Sequence, residues 1–126
     1  MTIRFAALVA AALALGTTAA FAMDATKTQD TNLGTVLADA QGMTLYTFRK
    51  DSPGKTVCYG GCAKLWPPLT AAADATAEGD YTLVARKGGA KQWAYKGLPL
   101  YRWSKDKKPG DTTGQGVKNL WDVARP

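Results

Sequence analysis

The sequence predicts a mainly β fold, a single small domain of two pseudo-symmetric antiparallel β units with one or two short helices. Residues 34–69 match residues 89–124 without a gap at a shift of 55 positions, so the two halves are similar units. Short aromatic and β-branched runs alternate with glycine, as is typical of strands joined by tight turns. Two units are too few for an open solenoid, and we expect them to pack on each other.

The N-terminal residues have the layout of a cleaved signal peptide. Arg4 precedes an apolar run from Phe5 to Leu15, and small residues follow up to Ala22. The apolar run is shorter than the roughly 18–20 residues of a membrane span. We therefore expect residues 1–22 to be removed by cleavage after Ala22, and the protein to be periplasmic or secreted.

The folded domain is predicted over residues 33–126, after a polar stretch over 23–32 that we expect to be a flexible lead-in. The first repeat covers about 34–69. Its second strand should alternate its side chains, with Tyr46 and Phe48 on one face. Within this repeat, strands are predicted over 35–38 and 43–48, a turn over 51–54 and a short helix over 60–65.

The second repeat, about 81–124, follows an alanine-rich linker over 70–80. Glycine turns separate its apolar runs, which favours strands over helices. Strands are predicted over 81–86, 91–95 and 98–103, with a closing strand or helix remnant over 119–124.

The two repeats share the pattern Leu-Tyr-x-aromatic-x-Lys-Asp, with Leu-Trp ending fifteen residues after the Asp. Symmetric positions in a packed pair usually pack, and large rings must supply buried area in so small a domain. We therefore expect Tyr46, Tyr101 and the repeated pair Trp66 and Trp121 to lie in the core. The repeat-motif residues are Tyr46, Phe48, Asp51 and Trp66 in the first half and Tyr101, Trp103, Asp106 and Trp121 in the second.

The composition excludes several classes of chemistry. The chain has no histidine, which excludes Ser-His and Cys-His nucleophiles, histidine-ligated zinc and covalent haem attachment. We expect no cofactor, no metal site and no catalytic residue. The formal net charge of +6 favours acidic or carbohydrate envelope components, or another exported protein, as partners. The basic residues are scattered, and no nucleic acid is expected.

Cys58 and Cys62 are the only cysteines, and three interpretations of them stay open. In an exported protein they favour a local structural disulfide. Their close spacing, with Lys55 and Lys64 beside them, also suits a thiol-exchanging pair. A copper(I) site assisted by Met43 is the third interpretation.

Aromatic residues two positions apart share one face of a strand, which suggests a ring-lined groove for a sugar or another planar ligand. Trp93 and Trp103 are expected to be exposed, because their equivalent residues in the first repeat are the smaller Ala38 and Phe48. The alternative is that these rings are core. The predicted ligand-binding residues are Trp93, Tyr95, Tyr101 and Trp103, with Lys91, Lys96 and Arg102 at the rim.

Asp51 and Asp106 occupy equivalent positions, which suits an acid/base pair or a cation site. Both stand beside turns, where aspartate side chains habitually accept hydrogen bonds from backbone N–H groups. We expect the capping role.

The assembled residues resemble the bacterial "secreted repeat of unknown function" family, exported proteins and lipoproteins with a Tyr-x-(Phe/Trp/Tyr)-x-x-Asp motif. The motif stands here as Tyr46-Thr-Phe48-Arg-Lys-Asp51 and Tyr101-Arg-Trp103-Ser-Lys-Asp106. The resemblance implies an envelope or secreted location and a repeated β-rich domain, and it implies no reaction. The chain lacks the lipobox cysteine of many members. Neighbouring features that match are Cys58-x-x-x-Cys62, Trp66-Pro67-Pro68-Leu69, Gln92-x-x-Tyr95-x-Gly97-x-Pro99-Leu100-Tyr101 and Pro109-Gly110-Asp111.

Two functional hypotheses follow. The first is a non-enzymatic binding or interaction module of the bacterial envelope. The alternative is a periplasmic redox or copper accessory protein that acts through Cys58 and Cys62.

Overall fold

The computed structural model describes residues 25–126. The predicted signal peptide and its cleavage site lie outside these residues. The regular secondary structure of the described chain is mostly antiparallel strand, as predicted, with one short helix and one 3-10 turn. The elements are β1 Thr26–Thr31, β2 Gly34–Asp39, β3 Tyr46–Phe48, α1 Gly61–Leu65, β4 Thr70–Ala71, β5 Tyr81–Ala85, β6 Lys91–Tyr95, β7 Leu98–Pro99, the 3-10 turn Val117–Asn119 and β8 Trp121–Val123.

The strands form three antiparallel groups. β1 pairs with β2, and β3 from the first repeat pairs with β8 from the end of the second. β5 pairs along the whole of β6, while β4 and β7 share the other edge of β6. Because the β3–β8 pair and the bridge between Tyr46 and Tyr101 each join residues of both repeats, the backbones of the two halves are hydrogen-bonded to each other.

The predicted flexible lead-in is wrong for Thr26–Thr31, which forms β1 and pairs along its full length with β2. This strand is mostly exposed, so it carries polar residues and lacks the apolar alternation that marks a half-buried strand. Its backbone hydrogen bonds and its threonines, which are β-branched, suit a strand all the same. The ordered domain therefore begins before residue 33.

The two repeats differ by one residue in their turns, which moves one strand out of the gapless alignment. Thr28 pairs with Leu37 in the first repeat, and Leu83 pairs with Trp93 in the second. Thr28 and Leu83 are 55 positions apart, whereas Leu37 and Trp93 are 56 apart. Trp93 therefore occupies the position of the buried Leu37, not that of Ala38.

The core has two clusters on the two faces of the central strands. Leu45 belongs to one cluster with Leu37 and Trp93, and Tyr46 and Phe48 belong to the other. The alternation predicted for this strand is confirmed. The Tyr46 and Tyr101 backbones exchange two hydrogen bonds, of 2.8 and 2.9 Å, so equivalent residues of the repeats face each other. An approximate two-fold axis passes between them.

Candidate functional site

Four aromatic rings from both repeats stack into one column. The Trp66 and Trp121 rings lie parallel at its centre, with centroids 3.8 Å apart and planes within 3°. Phe48 stacks on Trp121 at 4.2 Å, and Trp103 stacks on Trp66 at 4.0 Å. Since Phe48 is equivalent to Trp103 and Trp66 to Trp121, the column has the pseudo-symmetry of the repeats. We call these residues the ring column.

The repeat tyrosines support the ring column from the side. Tyr46 meets Trp66 edge-on at 5.3 Å, and Tyr101 meets Trp121 in the same way at 5.1 Å. Edge-to-face contacts are a favoured geometry for aromatic rings, because the positive ring edge meets the negative face. The backbone of Gly114 passes so close that a Cβ atom there would lie 2.8 Å from the Trp66 and Tyr46 rings.

A pocket of about 360 Å³ opens against the ring column. It lies between α1 and the 3-10 turn, so its apolar walls come in equivalent pairs from the two repeats. Its only charged lining residue is Lys118. The lining residues are Phe48, Gly61, Cys62, Leu65, Trp66, Trp103, Val117, Lys118, Leu120 and Trp121. We call this the ring-column pocket.

Cys58 and Cys62 are joined in a disulfide at one side of the ring-column pocket. Cys58 is fully buried in the core cluster, and Cys62 is partly exposed in the pocket wall. Val117 takes the equivalent place of Cys62 in the second repeat, so that half forms the wall without a bridge.

The 3-10 turn at the pocket departs from the helix that stands in its place in the first repeat. Lys118 and Asn119 have φ angles of 51° and 56°, in the left-handed region that costs a non-glycine residue about 1 kcal/mol. The Arg49 guanidinium holds this turn, because its Nη1 donates to the Asn119 carbonyl and side-chain oxygens at 3.2 and 3.0 Å. Arg49 also forms a two-pronged ion pair with Asp122.

Below the ring column, the repeats exchange hydrogen bonds between side chains. The Tyr46 hydroxyl of the first repeat donates to Asp106 of the second at 2.7 Å. The Tyr101 hydroxyl of the second donates to Asp51 of the first at 2.5 Å. Burial raises the pKa of both phenols, and the bonds to the carboxylates raise it further. We call Tyr46–Asp106 and Tyr101–Asp51 the exchanged pairs.

Each carboxylate of the exchanged pairs also caps a loop, as expected from the sequence. Asp51 accepts from the Val57 N–H at 2.8 Å, and Asp106 accepts from the Thr113 N–H at 3.0 Å. Burial raises the pKa of Asp51, and the Tyr101 hydrogen bond opposes this shift. Both aspartates therefore have structural partners on both oxygens.

The family model described as a secreted repeat of unknown function matches residues 27–70 and again residues 82–125. The chain belongs to this family. No curated protein and no solved structure matches it.

In this protein, the family motif has a physical meaning. The motif tyrosine donates to the motif aspartate of the other repeat, and the motif aromatic residue lies at an end of the ring column. The motif thus describes how two copies dock. Among the described residues of the protein, no helix is long and apolar enough to cross a membrane.

The four rings of the predicted ligand groove do not form one exposed patch on the protein. Trp93 is 1% exposed and Trp103 is 8% exposed, so the expectation that they are exposed is wrong. Trp93 and Tyr95 pack with the Leu37 cluster, whereas Tyr101 and Trp103 pack in the other cluster. Of the four, Trp103 alone lines the ring-column pocket.

The predicted rim cations are also dispersed. Arg102 donates through Nε to the buried Asp39 at 2.6 Å. Lys96 lies in the β6–β7 turn with its Nζ 5.3 Å from the centre of the Tyr95 ring. Lys91 is exposed and reaches the Ala73 carbonyl at 3.4 Å.

Sequence reasoning missed the apolar residues that close the pocket. Leu65 and Leu120 precede the repeated tryptophans, and the recurring Leu-Trp dipeptide was the available signal. It also missed Arg86, a buried cation that donates to Gln92 Oε1 and to the Cys58 carbonyl, each at 2.7 Å. Nothing in the local sequence marks Arg86 as buried.

Two further features of the protein concern metal ions and a surface cleft. The part of the chain that the structure describes holds no group of three or more His, Cys, Asp or Glu side chains suited to a metal ion. A shallow cleft of about 730 Å³ lies beside the β1–β2 turn, lined in part by Asp111. The Lys107 N–H and the Lys108 ammonium bond to Asp111 and lower its pKa.

Proposed function

We propose that this protein is an exported, non-enzymatic binding module of the bacterial envelope and that its ligand is a small, flat, apolar molecule. The ring-column pocket carries this proposal. Its volume of about 360 Å³ is in the range of small-molecule sites, which are typically lined by apolar and aromatic side chains. A ligand in this pocket would release water from the exposed apolar side chains of its walls, such as Leu65.

The position of the pocket strengthens the proposal. Leu65 is 45% exposed although it is a large apolar residue, and it stands beside the partly exposed Leu120 at the pocket. Burying such side chains stabilises a complex by about 25 cal/mol per Å² of apolar surface removed from water. The described part of the molecule has two other exposed large apolar residues, Leu33 and Val57, and neither lines this pocket.

A matched pair of variants tests the proposal. Leu65→Asp places a charge in the apolar wall, and Val57→Asp places the same charge at a residue of similar exposure outside the pocket. We expect 2-naphthalenemethanol to quench tryptophan fluorescence of the wild type and of Val57→Asp with the same Kd. The Leu65→Asp variant should bind at least tenfold more weakly. No saturable binding to the wild type, or equal binding to both variants, contradicts the proposal.

Export by the predicted signal peptide is part of the same proposal. The family description as a secreted repeat supports it. N-terminal sequencing of the protein recovered from the periplasm and from the medium is expected to begin at Met23. A chain that keeps residues 1–22 contradicts cleavage after Ala22.

A second candidate function is thiol–disulfide exchange, favoured by one observation: Cys62 is partly exposed in the pocket while Cys58 is buried. A partner thiolate would attack Cys62 Sγ, the bond between the cysteines would break, and the electron pair would leave on Cys58 Sγ. A second partner thiolate would then attack the partner sulfur of this mixed disulfide. The two partner sulfurs would become joined in a disulfide, and Cys62 would leave as a thiolate, so that both cysteines of the protein are reduced. The same reduction would have to precede binding of copper(I) by the two sulfurs.

The reduction potential of the Cys58–Cys62 pair separates the two candidates. A value above about −200 mV marks a labile, exchange-competent bond, and a value below about −300 mV marks an inert structural bridge. We expect the lower value. The higher value would put the exchange function first.

A further inference from the structure

The ring-column pocket is symmetric in its apolar walls but not in its charge. Cys62 of the first repeat is equivalent to Val117 of the second, and Leu65 is equivalent to Leu120. Between these two positions, however, Ala63 is equivalent to Lys118. Lys118 is the one charged residue among the ten that line the pocket, and no carboxylate lines it. An apolar cavity with a single cation at its wall is complementary to a ligand with a single negative charge.

The backbone at Lys118 supports a role beyond packing. Its left-handed conformation (φ 51°, ψ 17°) is shared with Asn119, while the equivalent residues of the first repeat lie in α1. Strained conformations persist where surrounding contacts hold them, and they cluster at binding sites. Here the contact is the Arg49 guanidinium, which bonds to Asn119 and to Asp122.

A second ammonium group lies close to the same walls. The Nζ of Lys105 is 5.7 Å from the centre of the Trp103 ring, an end member of the ring column. Lys105 is not among the residues that line the pocket, so Lys118 is the cation that a ligand there can contact directly. An anion held at the wall can stay partly hydrated while the flat part of the ligand leaves water, which avoids the cost of burying a charge.

We propose that the ring-column pocket selects flat aromatic carboxylates, with the ring against the apolar walls and the carboxylate paired with the Lys118 ammonium. The inference rests on the proposed function, because it specifies the ligand of the same pocket. The pair 2-naphthoate and 2-naphthalenemethanol separates the two, since the probes share a ring system and differ in charge.

The experiment compares the ratio of the two Kd values in the wild type and in three variants. We expect the wild type to bind 2-naphthoate about fivefold more tightly than the alcohol, the upper end of what an ion pair with an exposed lysine supplies. The Lys118→Gly variant should reduce the ratio to about one, and glycine suits the left-handed conformation there. The Lys118→Arg variant should keep the preference. The Lys27→Ala variant removes the same charge from exposed β1 and should also keep it.

The indole N–H signals in a nitrogen–proton NMR spectrum locate the probe. The chain has four tryptophans, and Trp93 lies in the cluster away from the pocket, so its signal should stay in place while those of Trp66, Trp103 and Trp121 shift. If neither probe binds the wild type, the proposed function fails and this inference with it. If both bind with equal Kd, or if Lys118→Gly keeps the preference, the inference alone is overturned.

Discussion

Tyr46 of the first repeat donates its hydroxyl hydrogen to Asp106 of the second, 2.7 Å away and inside the core. Tyr101 and Asp51 make the reciprocal contact. A buried carboxylate that loses its donor keeps the cost of having left water, so removing one half of such a pair is expensive. The exchanged pairs therefore bind the two repeats to each other through polar contacts, in addition to the ring column.

The Tyr46→Phe variant is expected to lower the free energy of unfolding by about 1.5–3 kcal/mol, the usual range for a hydrogen bond to a charged group. Urea denaturation measures the change. Tyr95→Phe is the control, because Tyr95 is partly buried but belongs to neither exchanged pair, and it should change stability by less than about 0.5 kcal/mol. Equal losses in the two variants would show that the exchanged pair adds no net stability.

The pH dependence of stability should reveal the environment of Asp51. Burial raises its pKa, so the folded protein holds this proton to a higher pH than the unfolded chain does. The wild type should therefore lose stability relative to Asp51→Asn as the pH rises from the ordinary value of 3.8 through the raised pKa, and no further above it. Urea midpoints across that window measure the difference.

Asp122 provides the comparison of opposite sign for this titration. The hydrogen bonds from Arg49 lower the pKa of Asp122, so its contribution is present above 3.8 and is lost as the pH falls through the lowered pKa. Relative to Asp122→Asn, the wild type should lose stability toward acid. The same sign in both comparisons would contradict the assignment for Asp51.

The close approach at Gly114 predicts a large effect from one methyl group. Its Cβ would lie 2.8 Å from the Trp66 and Tyr46 rings, which cannot move without disturbing the ring column. We expect Gly114→Ala to destabilise the protein by about 3 kcal/mol, the upper end for overpacking. Gly61→Ala meets no atom within 4 Å and should be neutral or stabilising by up to about 1 kcal/mol. Thermal unfolding of the two variants tests the contrast.

The second repeat predicts what the protein becomes without its disulfide. The Cys58→Thr/Cys62→Val double variant copies the residues at the matching positions, Thr113 and Val117. It should fold and lose only about 2 kcal/mol, the chain-entropy value for so short a loop. Guanidinium denaturation and near-ultraviolet circular dichroism check stability and packing. Failure to fold would mean that the bridge, rather than the ring column, organises this end of the molecule.

The sequence was sufficient to predict the repeat, the β class and the core role of Tyr46, Tyr101, Trp66 and Trp121, because identical residues at a fixed spacing indicate shared packing. It misplaced Trp93, since a gapless shift cannot show that one turn gains a residue and the next loses one. It missed β1 because the pairing of an exposed strand rests on backbone groups, which leave little trace in side-chain type.

The candidate site was harder to predict than the fold. Its four rings come from positions up to 73 residues apart in the chain, Phe48 and Trp121, and stacking between them depends on the axis that relates the repeats. Lys118 carries no motif at all. Its position at the pocket follows from the turn that Arg49 holds, and Arg49 belongs to the other repeat.

The exchanged pairs mean that neither half of the chain is self-sufficient. A single repeat, made alone, would carry a tyrosine and an aspartate that each lack a counterpart, and a second copy could supply both. Each repeat thus resembles one protomer of a homodimer, and the chain joins the two protomers covalently. The association of the two repeats is therefore independent of protein concentration. Nicking the backbone between β4 and β5 should leave two fragments that remain associated, and neither fragment should keep the fold after separation.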